Sequence, residues 1–167
     1  MSHFNIEKLL TIESKIIDKH VVFFMTATGK DFTELRMLEF IHDFEYVLKA
    51  LTIDKITRAC FVFNLNGMKI PSSFCLVKEF SDMFDPYLVV IKKKISYSVI
   101  VNENNLFSIF FAIFKQYYKP QRPLYYCKTT NEMTKILSNK ELRDQQPNLN
   151  EQIRDKTVSE MTELLNN

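Results

Sequence analysis

The chain has 167 residues with a formal net charge of +2, 46% hydrophobic and 25% charged residues, values that fit one globular domain large enough to bury a core. So small a charge excludes a general nucleic-acid binder and leaves only local patches. Gly29 and Gly67 are the only glycines, which excludes Gly-rich phosphate loops of the Walker or Rossmann kind.

The first segment, Phe4 to Ile17, fits neither the helical nor the strand period cleanly and reads as a strand or a short helix. Asp18-Lys19 supplies a turn before Val21-Val22-Phe23-Phe24-Met25, a strand by its β-branched and aromatic content. Gly29 ends it. Asp31 is the expected N-cap of the next helix, with Glu34 at the reciprocal capping-box position. That helix shows Leu35, Leu38, Ile41, Phe44, Val47, Leu48 and Leu51 at helical spacing, an apolar stripe expected to face a sheet.

Arg58 to Leu65 is the next strand, apolar on both faces as a central parallel strand should be. Pro71-Ser72-Ser73 opens a helix that runs to about Phe84 and is stopped or kinked at Asp85-Pro86. Tyr87 to Ile91 continues it after the kink, and Lys92-Lys93-Lys94 reads as a solvated connection. Ile95 to Val101 is a strand, Asn104 to Tyr118 an unusually apolar helix, Leu124 to Cys127 the last strand, and Thr130 to about Asn139 a short helix. Alternating strands and helices predict an α/β fold, a single mixed and largely parallel sheet flanked by helices. Strands around Phe23, Val62, Val99 and Tyr125 should pair in it. The domain is expected over residues 1–140, followed by a polar tail from Glu141 to Asn167. Ile153, Val158, Met161, Leu164 and Leu165 lie on one stripe of that tail, which is expected to dock on an apolar surface. No internal repeat is visible.

Cys60, Cys75 and Cys127 match no zinc spacing, and three thiols without a basic, apolar leader suggest a reducing, cytoplasmic setting. The longest apolar run, Leu106 to Phe114, is far shorter than the ~20 residues of a spanning helix. His3, His20 and His42 are scattered, and His42 beside Asp43 reads as a surface histidine. No catalytic or metal signature is complete, so neither cofactor nor enzymatic activity is implied.

The candidate site is the carboxyl rim of the sheet, where open α/β folds place ligands. Asn64, Asn66, Asn102 and Glu103 should gather there as a polar cluster, although asparagines equally serve turns. Ser72 and Ser73 at a helix start could be phosphorylation targets or anion contacts; the competing role is an ordinary N-cap. The 15 phenylalanines include Phe74, Phe80, Phe107, Phe110, Phe111 and Phe114, which could line an apolar pocket or an interface. Lys92-Lys93-Lys94, with Lys115, Lys119 and Arg122, could face phosphate or acidic headgroups, although a charged turn is usually just a solvated one.

Phe61-Val62-Phe63-Asn64-Leu65-Asn66-Gly67-Met68 followed by Ser72-Ser73 resembles the STAS domains of anti-anti-sigma factors and their SpoIIAA-like and CRAL-TRIO relatives. A second likeness runs from Pro86-Tyr87 through Ile100-Val101-Asn102 to Arg122-Pro123-Leu124-Tyr125 and the helix of Thr130 to Leu137. Pro71 or Ser72 stands where the family carries Asp, and Phe74 where it carries Gly. The resemblance implies a regulatory module that binds a protein partner through the rim and the helix beginning at Ser72. The alternative from the CRAL-TRIO side is a carrier of an apolar ligand, a lipid, in a Phe-lined cavity. A homodimer would arise if the tail docked in trans.

Overall fold

The computed structural model describes residues 7–53, 55–69, 76–103 and 122–146. Its centre is a five-stranded sheet in the order β1-β2-β3-β4-β5. The strands are β1 (Leu10–Ile17), β2 (His20–Ala27), β3 (Ala59–Asn64), β4 (Ile95–Val101) and β5 (Leu124–Cys127). β1 runs antiparallel to β2, and the remaining pairs are parallel. The expected mixed, largely parallel α/β sheet is therefore the observed one. Phe24 pairs with Val62, Val62 with Val99 and Val99 with Tyr125, which unites the predicted strands. The ambiguous first segment resolves as the strand β1. Its hairpin needs only Asp18 and Lys19, at φ +49° and +65°, the left-handed pair demanded by a two-residue turn of type I′.

Because β2, β3 and β4 advance across the sheet in one direction, right-handed crossovers put their connecting helices on the same face. These are α1 (Glu34–Leu51), α2 (Val77–Met83), a 3-10 turn at Asp85–Tyr87, and α3 (Leu88–Lys94). They cover Phe23, Met25, Phe61 and Ile100. The pleat sends alternate residues the other way, and there Val22, Cys60, Val62, Tyr97, Val99, Val101 and Cys127 meet Ile136 and Leu137 of α4 (Thr130–Ser138). A short α5 (Lys140–Asp144) follows. β3 is thus buried on both faces, as its unbroken apolar run required.

The first core is a lattice of phenyl rings. Phe44 lies at its centre, with ring centroids 5.2 Å from Phe61, 5.3 Å from Phe84, 5.7 Å from Phe80 and 5.8 Å from Phe40 and Phe63. Four of these pairs are tilted or edge-on and Phe44–Phe63 is stacked; aromatic pairs add about 0.5–1.5 kcal/mol each beyond area burial.

Local details depart from the sequence reading in four places. Thr33, not Asp31, caps α1: its backbone is extended and its hydroxyl accepts from Arg36 N at 3.2 Å. The Asp31 carboxylate instead accepts from Lys69 Nζ at 2.8 Å, and Glu34 is the first helical residue. The buried stripe of α1 is Met37, Phe40, Phe44, Val47, Leu48 and Leu51. Leu35 and Leu38 are 58% and 44% exposed, because at about 100° per residue they stand roughly 180° and 120° round the helix from Phe44. Lys92-Lys93-Lys94 is no loop but the last turn of α3. Lys94 Nζ donates to Leu51 O at 2.5 Å and Ile53 O at 2.9 Å, capping the carbonyl end of α1. Finally, helix resumes at Lys140 where the tail was expected to begin, and its Arg143 is buried. The apolar helix of 104–118, the start of the helix at Ser72 and the stripe beyond residue 146 lie outside the described residues.

Candidate functional site

At the carboxyl rim, β3 ends in Asn64 and turns. Asn64 Oδ1 accepts from Asn66 N at 3.2 Å, an Asx turn of the kind asparagine favours. Met68 N donates to Leu65 O at 2.9 Å, with Gly67 at φ +79°, a conformation that costs a Cβ-bearing residue free energy. Asn66 Oδ1 then reaches the end of β4 and accepts from Glu103 N at 2.8 Å. Leu65 N donates to Val101 O at 2.7 Å and Asn102 N to Cys127 O at 3.0 Å. The Tyr126 hydroxyl donates to Asn102 O. The structure therefore brings Asn64, Asn66, Asn102 and Glu103 together as the strand order required. Asn102 is buried and Glu103 exposed.

This rim differs from a typical α/β ligand cleft in one respect. Such clefts open where the strand order reverses direction, and the order β2-β3-β4-β5 has no reversal. Among the described residues, therefore, no switch point marks a cleft between diverging crossovers. Lys69 on the loop after β3 and Asp31 on the loop before α1 are joined at 2.8 Å, so the first turns of α1 flank the rim. Leu35 and Leu38 face outward in those turns, and the same outer face continues along the helix through His42 to Tyr46, about three turns from Leu35 and 69% exposed. The salt bridge shifts the Asp31 carboxyl downward, its hydrogen bond from Lys69 being the main cause.

A second polar cluster, which the sequence did not signal, sits at the amino end of the parallel strands. A register shift pairs Ala59 with Ile95 but Cys60 with Tyr97, leaving Ser96 as a bulged residue whose side chain is re-aimed. Ser96 Oγ lies 3.0 Å from His20 Nε2, while His20 Nδ1 is 2.8 Å from Asp18 O. A carbonyl only accepts, so Nδ1 carries the hydrogen and Nε2 of the neutral ring accepts from Ser96. Arg143 Nη1 donates to Ile136 O and Leu137 O, both at 3.0 Å, and Nη2 to Asp18 Oδ2 at 3.1 Å. Its guanidinium lies 4.6 Å from the Tyr97 ring centroid, within cation–π range. Arg143 thus joins the end of α4 to the hairpin turn, an arrangement for holding elements together.

Both described thiols are buried and free. Burial pushes the Cys127 thiol up to about 12, with Glu132 adding to the rise. Burial drives Cys60 higher still, against the opposing pull of its Tyr97 hydrogen bond and Arg143. Burial likewise raises the Tyr97 and Tyr126 hydroxyls. Neutral, enclosed thiols are poor nucleophiles and metal ligands. No group of three or more His, Cys, Asp or Glu able to hold a metal occurs among the described residues. Nor is any described helix long and apolar enough to cross a membrane.

Of the phenylalanines predicted for a pocket or interface, Phe80 lies in the core, in ring contact with Phe40, Phe44 and Phe84 at 5.8, 5.7 and 5.1 Å. Phe74, Phe107, Phe110, Phe111 and Phe114 lie outside the described residues, as do Ser72, Ser73 and Cys75. No protein-family model matches the chain, and neither does any curated protein or solved structure.

Proposed function

We propose that the chain is a non-catalytic, STAS-like regulatory module that binds a protein partner through the carboxyl rim and the helix beginning at Ser72. The observation that carries this reading is the continuity of one surface. The rim bridged by Asn66 and Glu103 adjoins, through the Lys69–Asp31 pair, an outer helix face bearing exposed Leu35, Leu38 and Tyr46. Aromatic and aliphatic side chains beside polar groups with fixed directions are the composition of interface centres and rims. Ser72 and Ser73 follow the same loop in sequence, so a charge added there would act on this surface.

The test is affinity capture with the full chain, combined with cross-linking to locate any captured partner. A partner that cross-links near Lys69, and is lost on Leu38→Asp and on Ser73→Asp but kept on Val89→Asp, supports the reading. Turnover of a phosphate ester or acyl substrate that is abolished by Ser73→Ala sinks it. The competing reading is a lipid carrier, favoured by native mass spectrometry that finds a co-purified apolar ligand.

A further inference from the structure

Among the described residues, β1 is an edge strand of eight residues, paired on one side with β2. Its hydrogen-bonding phase follows from two bonds. Thr28 N donates to Leu9 O at 3.2 Å, and Val21 N donates away from β1, to Arg58 O at 3.0 Å. In an antiparallel ladder the two states alternate. With Leu9 opposite Thr28, the odd residues Thr11, Glu13, Lys15 and Ile17 therefore bond to β2. The even residues Leu10, Ile12, Ser14 and Ile16 turn their N–H and C=O groups outward.

An edge of this kind is a template for another strand unless something blunts it. Here no proline or bulge interrupts Ile12-Glu13-Ser14-Lys15-Ile16, and Ile16 is 78% exposed. The charges that should guard the edge alternate in sign. Glu13 and Lys15 are exposed on the face of the sheet that carries Phe24, with Lys15 Nζ 5.9 Å from the Phe24 ring centroid. Ile12 packs at the border of the opposite, phenyl-rich core, and Ile16 shares that face by the period of two.

We infer that two copies of the chain pair through β1, antiparallel about a two-fold axis at Ser14, joining both sheets into one. The occupant is identified by the strand's own self-complementarity. Centred on Ser14, the pairing sets Glu13 of each copy opposite Lys15 of the other, and Ile12 opposite Ile16. The register also agrees with the backbone. Ser14 meets Ser14 and Ile12 meets Ile16, all of them residues whose N–H and C=O point outward, so they form the hydrogen-bonded pairs. A register displaced by two residues in the sum aligns Glu13 with itself, or Lys15 with itself. Like charges directly opposite one another destabilise an antiparallel pair. Two-fold closure uses the edge of both partners and leaves no β1 edge open for a third copy. The patch is small, so the dimer is weak and reversible.

Sedimentation equilibrium of the full chain over a wide concentration series tests this. Wild type is expected to dimerise reversibly. Glu13→Lys sets Lys opposite Lys twice, and Lys15→Glu sets Glu opposite Glu twice. Each single variant should weaken dimerisation about tenfold or more, since two cross-strand pairs change sign. An equimolar mixture of the two single variants should recover association as a heterodimer, and the double swap Glu13→Lys with Lys15→Glu should restore the wild-type constant. Both side chains are exposed, so circular dichroism of the single variants should match wild type. A wild type that stays monomeric throughout overturns the inference. So do single variants that dimerise as well as wild type, an outcome that assigns self-association to another face, such as the terminal segment.

Discussion

Arg143 Nη2 donates to Asp18 Oδ2 at 3.1 Å, tying α5 to the β1–β2 turn across 125 residues of sequence. Arg143 is almost fully buried, whereas the Asp18 side chain is 42% exposed. The guanidinium is therefore the member whose desolvation must be offset, and two carbonyls of α4 and the Tyr97 ring share that task with Asp18.

The asymmetry sets an order of effects. Arg143→Met keeps much of the buried volume but orphans the two helix-end carbonyls, and should cost about 2 kcal/mol. Asp18→Asn retains the left-handed turn that asparagine tolerates and leaves the carbonyl contacts of Arg143 in place, so about 1 kcal/mol is expected. Urea denaturation of both variants checks this. Equal losses, or a larger loss for Asp18→Asn, would show that the carbonyls and Tyr97 do not hold the guanidinium.

Phe44→Ala removes the ring on which five other phenyl rings converge. The loss should reach about 3–5 kcal/mol. Leu35→Ala, on the outer side of the same helix, should change stability by less than ~0.5 kcal/mol. A thermal-shift comparison separates the two faces of α1. Similar melting temperatures for the two variants would mean that the buried stripe has been misassigned.

Alkaline pH should unfold the protein early. Cys127 is raised by burial from the ordinary 9.0 to about 12, and Cys60 and Tyr97 shift the same way. A raised folded pKa means that the folded state holds its protons more tightly. The stability this contributes is complete below pH 9 and is lost as pH climbs from there toward about 12. Each thiol adds a slope of up to roughly 1.4 kcal/mol per pH unit. Chemical denaturation in steps above pH 8 measures it, and Cys127→Ala should flatten the decline. In a Cys75→Ala background, Cys60 and Cys127 should also resist iodoacetamide until the chain unfolds; rapid native alkylation would contradict their burial.

Asn66→Ala cuts the side-chain bridge from the loop after β3 to the end of β4. The expected cost is about 1 kcal/mol. Its local sign is faster amide hydrogen exchange at Glu103 with unchanged exchange at Val62 in the strand. Unaltered exchange at Glu103 would show that the rim is held without the bridge.

Much of this architecture was legible from the residues alone. Apolar runs such as Cys60-Phe61-Val62-Phe63 read as a strand buried on both faces, and Asp18-Lys19 read as a turn, although only the structure decided that the segment before it is a strand. Even the grouping of Asn64, Asn66, Asn102 and Glu103 followed from strand order, since adjacent parallel strands end on one rim. Spacing alone did not decide which side of α1 is buried, because steps of three residues carry an apolar series from Leu35 and Leu38 gradually round the helix to Phe44, so apolar side chains occur on more than one face. Only the position of the sheet selects Met37, Phe40 and Phe44 over Leu35 and Leu38. The cap was ambiguous for a similar reason: Asp31 and Thr33 are both competent acceptors, and Lys69, brought near by the fold, engages one and leaves the other for Arg36. Arg143, in a polar stretch that looked like the start of a tail, meets Asp18 only because the helices after β5 pack across the second face of the sheet. Contacts between residues so far apart leave no periodic trace in a chain, so the tertiary structure alone reveals them.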